Sequence, residues 1–211
     1  MNLSQQQILQ WLQECCRLFE QEQDLLTQLD ADIGDADHGL NMHRGFTRVA
    51  EKLPTLIEQP ITSILKTVGI TLLSSVGGVT GPLYGTFFLR AATAVEGKEA
   101  LDLRDVAEML GAGLAGIIDR GNAEVGDKTL CDLWWPVVEA ANQAAQQGLD
   151  MQNMLTLLTQ IAHQAAHSTI AMRAKKGRAS YLGVRSIGHQ DPGATSSLLM
   201  VIALHSVIQN T

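Results

Sequence analysis

The chain has 211 residues, 45% of them apolar and 18% charged, with 15 lysines and arginines against 22 aspartates and glutamates for a net charge of -7. That length suits one large domain or two small ones, and the apolar content is ample for a core. The acidic balance argues against wholesale binding of nucleic acid or of an anionic membrane, so any polyanion bound here is small.

The opening MNLSQQQILQ has no basic stretch followed by an apolar core, and no apolar run reaches the roughly 18 residues of a membrane span, so the chain reads as cytoplasmic. From residue 4 to 29 the series Ile8, Leu9, Trp11, Leu12, Cys15, Cys16, Phe19, Leu25, Leu26 and Leu29 keeps helical spacing, with Ser4 placed to cap it. Cys15 and Cys16, with Cys131 far downstream, make neither a disulfide framework nor a CxxC metal site, which fits a reducing compartment.

The first helix is expected to end at DADIGDADHG, residues 30 to 39, which sets four aspartates within eight positions. Carboxylates this close repel one another unless a cation or hydrogen-bond donors compensate them. An EF-hand fails, because counting from Asp30 or Asp32 puts Asn41 or His43 at the twelfth position, where a glutamate is required. An open carboxylate turn suits Mg²⁺, which keeps waters and shares its shell with phosphates. The competing reading is an acidic cap on the next helix.

Helical periodicity continues at about 41–53, 61–75 and 82–95, the last preceded by SSVGGVTGP. That glycine-rich start could offer backbone N–H groups to an anion, but neither a Walker A loop nor G-x-G-x-x-G is present, and by itself it reads as a structural tight turn. Helices follow at 102–119 and, after DRGNAEVGDKT, at 129–147, where Trp134 and Trp135 suit helix packing. In the helix at 150–172, His163 and His167 are four apart but have no HExxH glutamate between them. The stretch KKGRASYLGVRSIGHQDPGATS then leads into a last helix at 194–209. It is long for a connection, and it carries Arg178, suited to a bidentate phosphate contact, and Asp191, suited to a ribose hydroxyl or an amine; a solvated basic surface loop is the competing reading. Strand signals are scarce, so the chain is expected to be an all-α domain of about eight helices.

Together, DIGDADHGLN, LLSSVGG, GDKT and KGRASYLGVRSIGHQDPGATS resemble the nucleotide-binding subunits of bacterial dihydroxyacetone kinases, the DhaL family, over essentially the whole chain. The resemblance implies a single domain over residues 1–211, an antiparallel eight-helix barrel with its site in the loops at one end. It implies ADP, or ATP when charged, held with two Mg²⁺ ions by Asp30, Asp35 and Asp37. His38, Gly39, Leu40 and Asn41 would lie beside the nucleotide, and Gly78, Val79 and Thr80 would cradle phosphate. Gly121 and Leu130 would flank the adenine; relatives commonly carry methionine at position 130, a volume-conserving difference. Arg178 would contact phosphate as the catalytic residue, and Asp191, Pro192 and Gly193 would close the site.

The implied chemistry is phosphoryl transfer, in which positioning and charge neutralisation do most of the work. A separate subunit would hold dihydroxyacetone through a histidine and supply the acid and base groups, so no catalytic base is expected here. At 211 residues there is no room for a substrate domain of ordinary size. The favoured mode is retained ADP recharged to ATP by a phosphohistidine protein of the phosphotransferase system. Three alternatives stand beside it: an ATP-exchanging triose kinase subunit, a non-catalytic ADP-dependent co-regulator of a transcription factor, and a stand-alone Mg²⁺ phosphohydrolase.

Overall fold

The computed structural model describes residues 2–209. Ser4 caps the first helix as expected: its hydroxyl accepts the Gln7 amide at 3.2 Å and the Gln7 side chain accepts the Ser4 amide at 2.9 Å. α1 (Gln5–Gln21) ends at Glu22, whose backbone leaves helical geometry at φ -97° and ψ 12°. α2 (Gln23–Ile33) then starts in a new direction. No glycine or proline marks this break, and the apolar spacing runs through it because Phe19 and Leu26, on either side, are both fully buried.

The remaining helices are α3 (His38–Lys52), α4 (Ile61–Ser75), α5 (Thr80–Ala94), α6 (Leu103–Gly121), α7 (Leu130–Gln147), α8 (Met151–Ser168) and α9 (Pro192–Gln209). Short 3-10 segments occupy Leu53–Leu56, Thr169–Ala171 and Arg178–Ser186. β1 (Leu3–Ser4) and β2 (Ala100–Leu101) form a two-residue antiparallel ladder with Leu3 opposite Leu101.

Eight helices close a ring in which α1 packs on α3, each helix from α3 onward packs on the next, and α9 returns to α1. The expected barrel is therefore present, but the expected count of eight helices is corrected to nine α-helices among the described residues. The extra one is α2, which stands outside the ring against α3 and α9. Successive ring helices run antiparallel. The connections entering α3, α5, α7 and α9 consequently share one end, and the β1–β2 ladder lies at the other.

Aromatic rings tie the inside of the barrel together. Phe19 and Phe46 have centroids 4.4 Å apart, Phe46 and Phe88 6.5 Å, Trp11 and Phe88 5.8 Å, and Phe87 and Trp134 4.8 Å. These contacts join α1, α3, α5 and α7. The Trp11 indole N–H donates to the Met200 carbonyl of α9 at 3.0 Å. Truncating a ring in such a core costs about 3–5 kcal/mol, so the site end sits on a stiff base.

Candidate nucleotide and metal site

The acidic turn takes its shape from its own backbone. Asp30, in the last turn of α2, is buried, and its Oδ2 accepts the amides of Asp37 at 2.9 Å and His38 at 3.1 Å. The cap on α3 is thus supplied from seven and eight residues upstream, while Asp37, at the N-cap position, makes no side-chain capping bond. Ala36 sits at φ 61°, in the left-handed region that few non-glycine residues enter. A Cβ on Gly34 would overlap the Asp30 carboxylate, so glycine is required there.

With the turn folded this way, carboxylate oxygens of Asp30, Asp35 and Asp37 all lie within 4.8 Å of one another. Burial, then the charge of Asp37, push the Asp35 carboxyl above its usual range, with Arg178 opposing. Arg178 Nη2 is 3.0 Å from Asp35 Oδ2, so the long connection before α9 reaches back to the turn. Three convergent hard oxygen donors on an open turn fit Mg²⁺.

Beside the turn lies a cavity of about 820 Å³. His38, Thr80, Leu130 and Pro192, the first residues of α3, α5, α7 and α9, all line it. Four helix N-termini, each carrying the positive end of a helix dipole, therefore face one space. Polyphosphate is a natural occupant of such a cluster. Leu83, Ile117, Ala123 and Leu130 give the same cavity an apolar wall suited to a flat base.

A buried polar network is built into the cavity wall. The His38 ring Nε2 pairs with Ser196 Oγ at 2.8 Å, and the Tyr84 hydroxyl meets Ser196 Oγ at 2.6 Å, Ser197 Oγ at 2.9 Å and the Gly193 carbonyl at 3.1 Å. Burial lowers the His38 pKa to about 4, leaving the ring neutral, and pushes the Tyr84 hydroxyl up. Asp191 caps α9 by accepting the Ala194 amide at 2.7 Å; burial raises its pKa to about 7.

Residues 32–206 match the DAK2 domain. The chain belongs to the DAK2 family. Among DAK2 relatives, the protein of Escherichia coli K12 named PEP-dependent dihydroxyacetone kinase, ADP-binding subunit DhaL, is 55% identical over 201 residues, covering 95% of this chain and 96% of that one. The first of two such subunits named in Listeria innocua is 40% identical over 95% of this chain and 94% of its own length. The human triokinase/FMN cyclase is 30% identical over 94% of this chain but only 34% of its own length. The DAK2 fold also matches the crystal structure of the dihydroxyacetone kinase from C. freundii in complex with AMP-PNP and Mg²⁺. There the TM-score is 0.76 at 22% identity, over 98% of this chain and 34% of that one.

In this DAK2 chain the cavity wall brings together Asp30, Asp35, Asp37, His38, Gly78, Val79, Thr80, Gly121, Leu130, Arg178, Asp191, Pro192 and Gly193. Gly39, Leu40 and Asn41 do not line it. A Cβ on Gly39 would overlap the Gln23 carbonyl and the Thr27 hydroxyl, so this glycine lets α3 approach α2. Leu40 is 52% exposed on the outer face of α3. Asn41 is buried, accepts from Arg44, and backs the turn at Gly77. His163 and His167 are exposed on α8, and Trp134 is buried in the core while Trp135 is 48% exposed.

Sequence reasoning assigned no role to Lys128, Tyr84, Ser196 or Ser197. The hydroxyl series of α9 and the lysine of GDKT were visible as residues, but their partners are distant in the chain. No helix among the described residues is long and apolar enough to cross a membrane.

Proposed function

We propose that this chain is the ADP-binding subunit of a dihydroxyacetone kinase, and that its ADP stays in place and is recharged by a phosphohistidine protein of the phosphotransferase system. The phosphoryl group then passes to dihydroxyacetone on a separate subunit. The observation that carries this reading is that the three-carboxylate turn and the N-termini of α3, α5, α7 and α9 border one cavity. The names of the relatives, kinase subunits described as ADP-binding, supply the substrate class and the need for partner chains.

Asp30, Asp35 and Asp37 would hold two Mg²⁺, which when bound supply charge neutralisation to a nucleotide whose terminal phosphate is transferable. The backbone N–H groups of Gly78, Val79, Thr80 and Gly193 would face the phosphates, the Ala194 amide being already given to Asp191. Leu130 and Gly121 border the base, and the neutral His38, locked by Ser196, fixes the start of α3 without competing for a proton. Arg178, on an exposed segment at the cavity mouth, moves its guanidinium between Asp35 and phosphate. The acid and base groups acting on the triose hydroxyl would come from the substrate subunit.

The test is to purify the protein without added nucleotide, denature it, and quantify what is released. Near-stoichiometric ADP is the expected result. A site that exchanges ATP freely makes the chain an ATP-using kinase subunit instead. No binding even with Mg²⁺ overturns the assignment.

A further inference from the structure

Lys128 is 1% exposed, and its backbone adopts the left-handed conformation at φ 62°. A lysine ammonium has three protons and no acceptor. Here Nζ donates to the Met172 carbonyl at 3.1 Å, the Ser186 carbonyl at 2.6 Å and the His189 carbonyl at 2.5 Å. All three acceptors belong to one stretch, residues 172–189, the longest connection without an α-helix among the described residues. They fall at its beginning, near its end, and just before Asp191.

We infer that Lys128 is a positioning residue: its ammonium ties the beginning and end of the 172–189 segment together and thereby sets Arg178 and Asp191 against the cavity. The inference rests on the nucleotide reading above for the ligand, and on geometry alone for the tie.

The neighbouring contacts point the same way. The Lys175 amide donates to the Asp127 carbonyl at 3.0 Å, so the residue before Lys128 grips the same stretch through its backbone. The Ala174 amide donates to Ser186 Oγ at 2.9 Å, and the Gly188 amide to the Ile170 carbonyl at 2.8 Å. Ile33, Ala174 and Ala179 make a small apolar cluster of their own, apart from the main core, that seats the segment on α2. These contacts hold the segment locally, but the ammonium alone gathers three distant carbonyls at one point.

Lys128 borders the cavity, yet it is not a phosphate contact. Its three protons are already committed to carbonyls and it offers no exposed face. Burial lowers its pKa while the nearby Asp191 charge raises it, as expected for an ammonium drawn into the wall. Without it, three inward-facing carbonyls lose their common donor and the segment opens.

Hydrogen exchange and Mg·ADP binding in Lys128→Met test this. The expected result is at least tenfold faster exchange at the amides of Ala174, Lys175, Gly188 and Asp191, with α1, α5 and α6 unchanged, together with a rise of tenfold or more in the Kd for Mg·ADP. Wild-type exchange across the segment overturns the tie. Faster exchange with wild-type ADP affinity overturns the positioning role. Should Lys128→Met lose helical signal, Lys128→Arg carries the comparison: it keeps charge and donors in a planar fork, and values between wild type and unfolded segment are expected. If the wild-type protein binds no Mg·ADP, the nucleotide reading fails by itself, and the exchange data still decide whether the tie exists.

Discussion

Arg178 stands 3.0 Å from Asp35, so the guanidinium and a divalent cation compete for the same carboxylate. Both partners are solvent-accessible, and an exposed ion pair is worth about 0.2–1 kcal/mol. Arg178→Ala is therefore expected to tighten binding of Mn²⁺ alone by about two- to fivefold, read by electron paramagnetic resonance without nucleotide. The same variant is expected to slow phosphoryl transfer once the substrate subunit is added. Weaker Mn²⁺ binding in Arg178→Ala would show that the arginine supports the metal rather than competing with it.

Asp30 and Asp37 look alike in the sequence but carry different loads. Asp30 accepts two amides at the start of α3, whereas Asp37 makes no capping bond. In EDTA, Asp30→Ala is expected to lose about 1–2 kcal/mol of stability, and Asp37→Ala to stay within ~0.5 kcal/mol of wild type. Both should lose Mn²⁺ binding. Chemical denaturation beside metal titration separates the two roles, and equal stability losses would remove the cap from the account of Asp30.

His38 and Asp191 impose opposite pH dependences on the ligand-free fold. The His38 pKa falls from 6.5 to about 4 on folding, so between those values the unfolded chain holds the extra proton and stability rises with pH. The Asp191 pKa rises from 3.8 to about 7, so over that window the folded chain holds the extra proton and stability falls as pH rises. The two slopes offset each other below pH 6.5. Relative to wild type, His38→Gln should lose stability on going from pH 4.5 to 6.5, and Asp191→Asn should gain it, each on the order of 2 kcal/mol. Urea midpoints in EDTA at several pH values test this; parallel curves for all three proteins would contradict it.

Much of the fold was legible because apolar spacing reports which face of each helix is buried, and α4 matches its expected span of 61–75 in full. The break at Glu22 was not legible, since Phe19 and Leu26 keep one apolar series going across it. The convergence of Asp30, Asp35 and Asp37 could be expected from hard ligands in a glycine-broken turn. The left-handed Ala36 that makes it work could not, because nothing about alanine favours that conformation. Gly39 sits inside a recognisable motif, but the sequence did not show that the packing of α3 on α2 requires glycine there. Lys128 was invisible for a simple reason of distance, its three acceptors lying 44, 58 and 61 positions downstream.

The order of helices around the ring also has a bearing on synthesis. Cavity wall is contributed by residues from Asp30 through Gly193, and the ring closes only when α9 docks between α8 and α1. During translation, α1 through α8 can emerge and pack in pairs while the pocket still lacks one side. Nucleotide capture is then a late event that reports on the whole barrel, and a ribosome-stalled chain ending before Asp191 is left with a metal turn but no closed pocket.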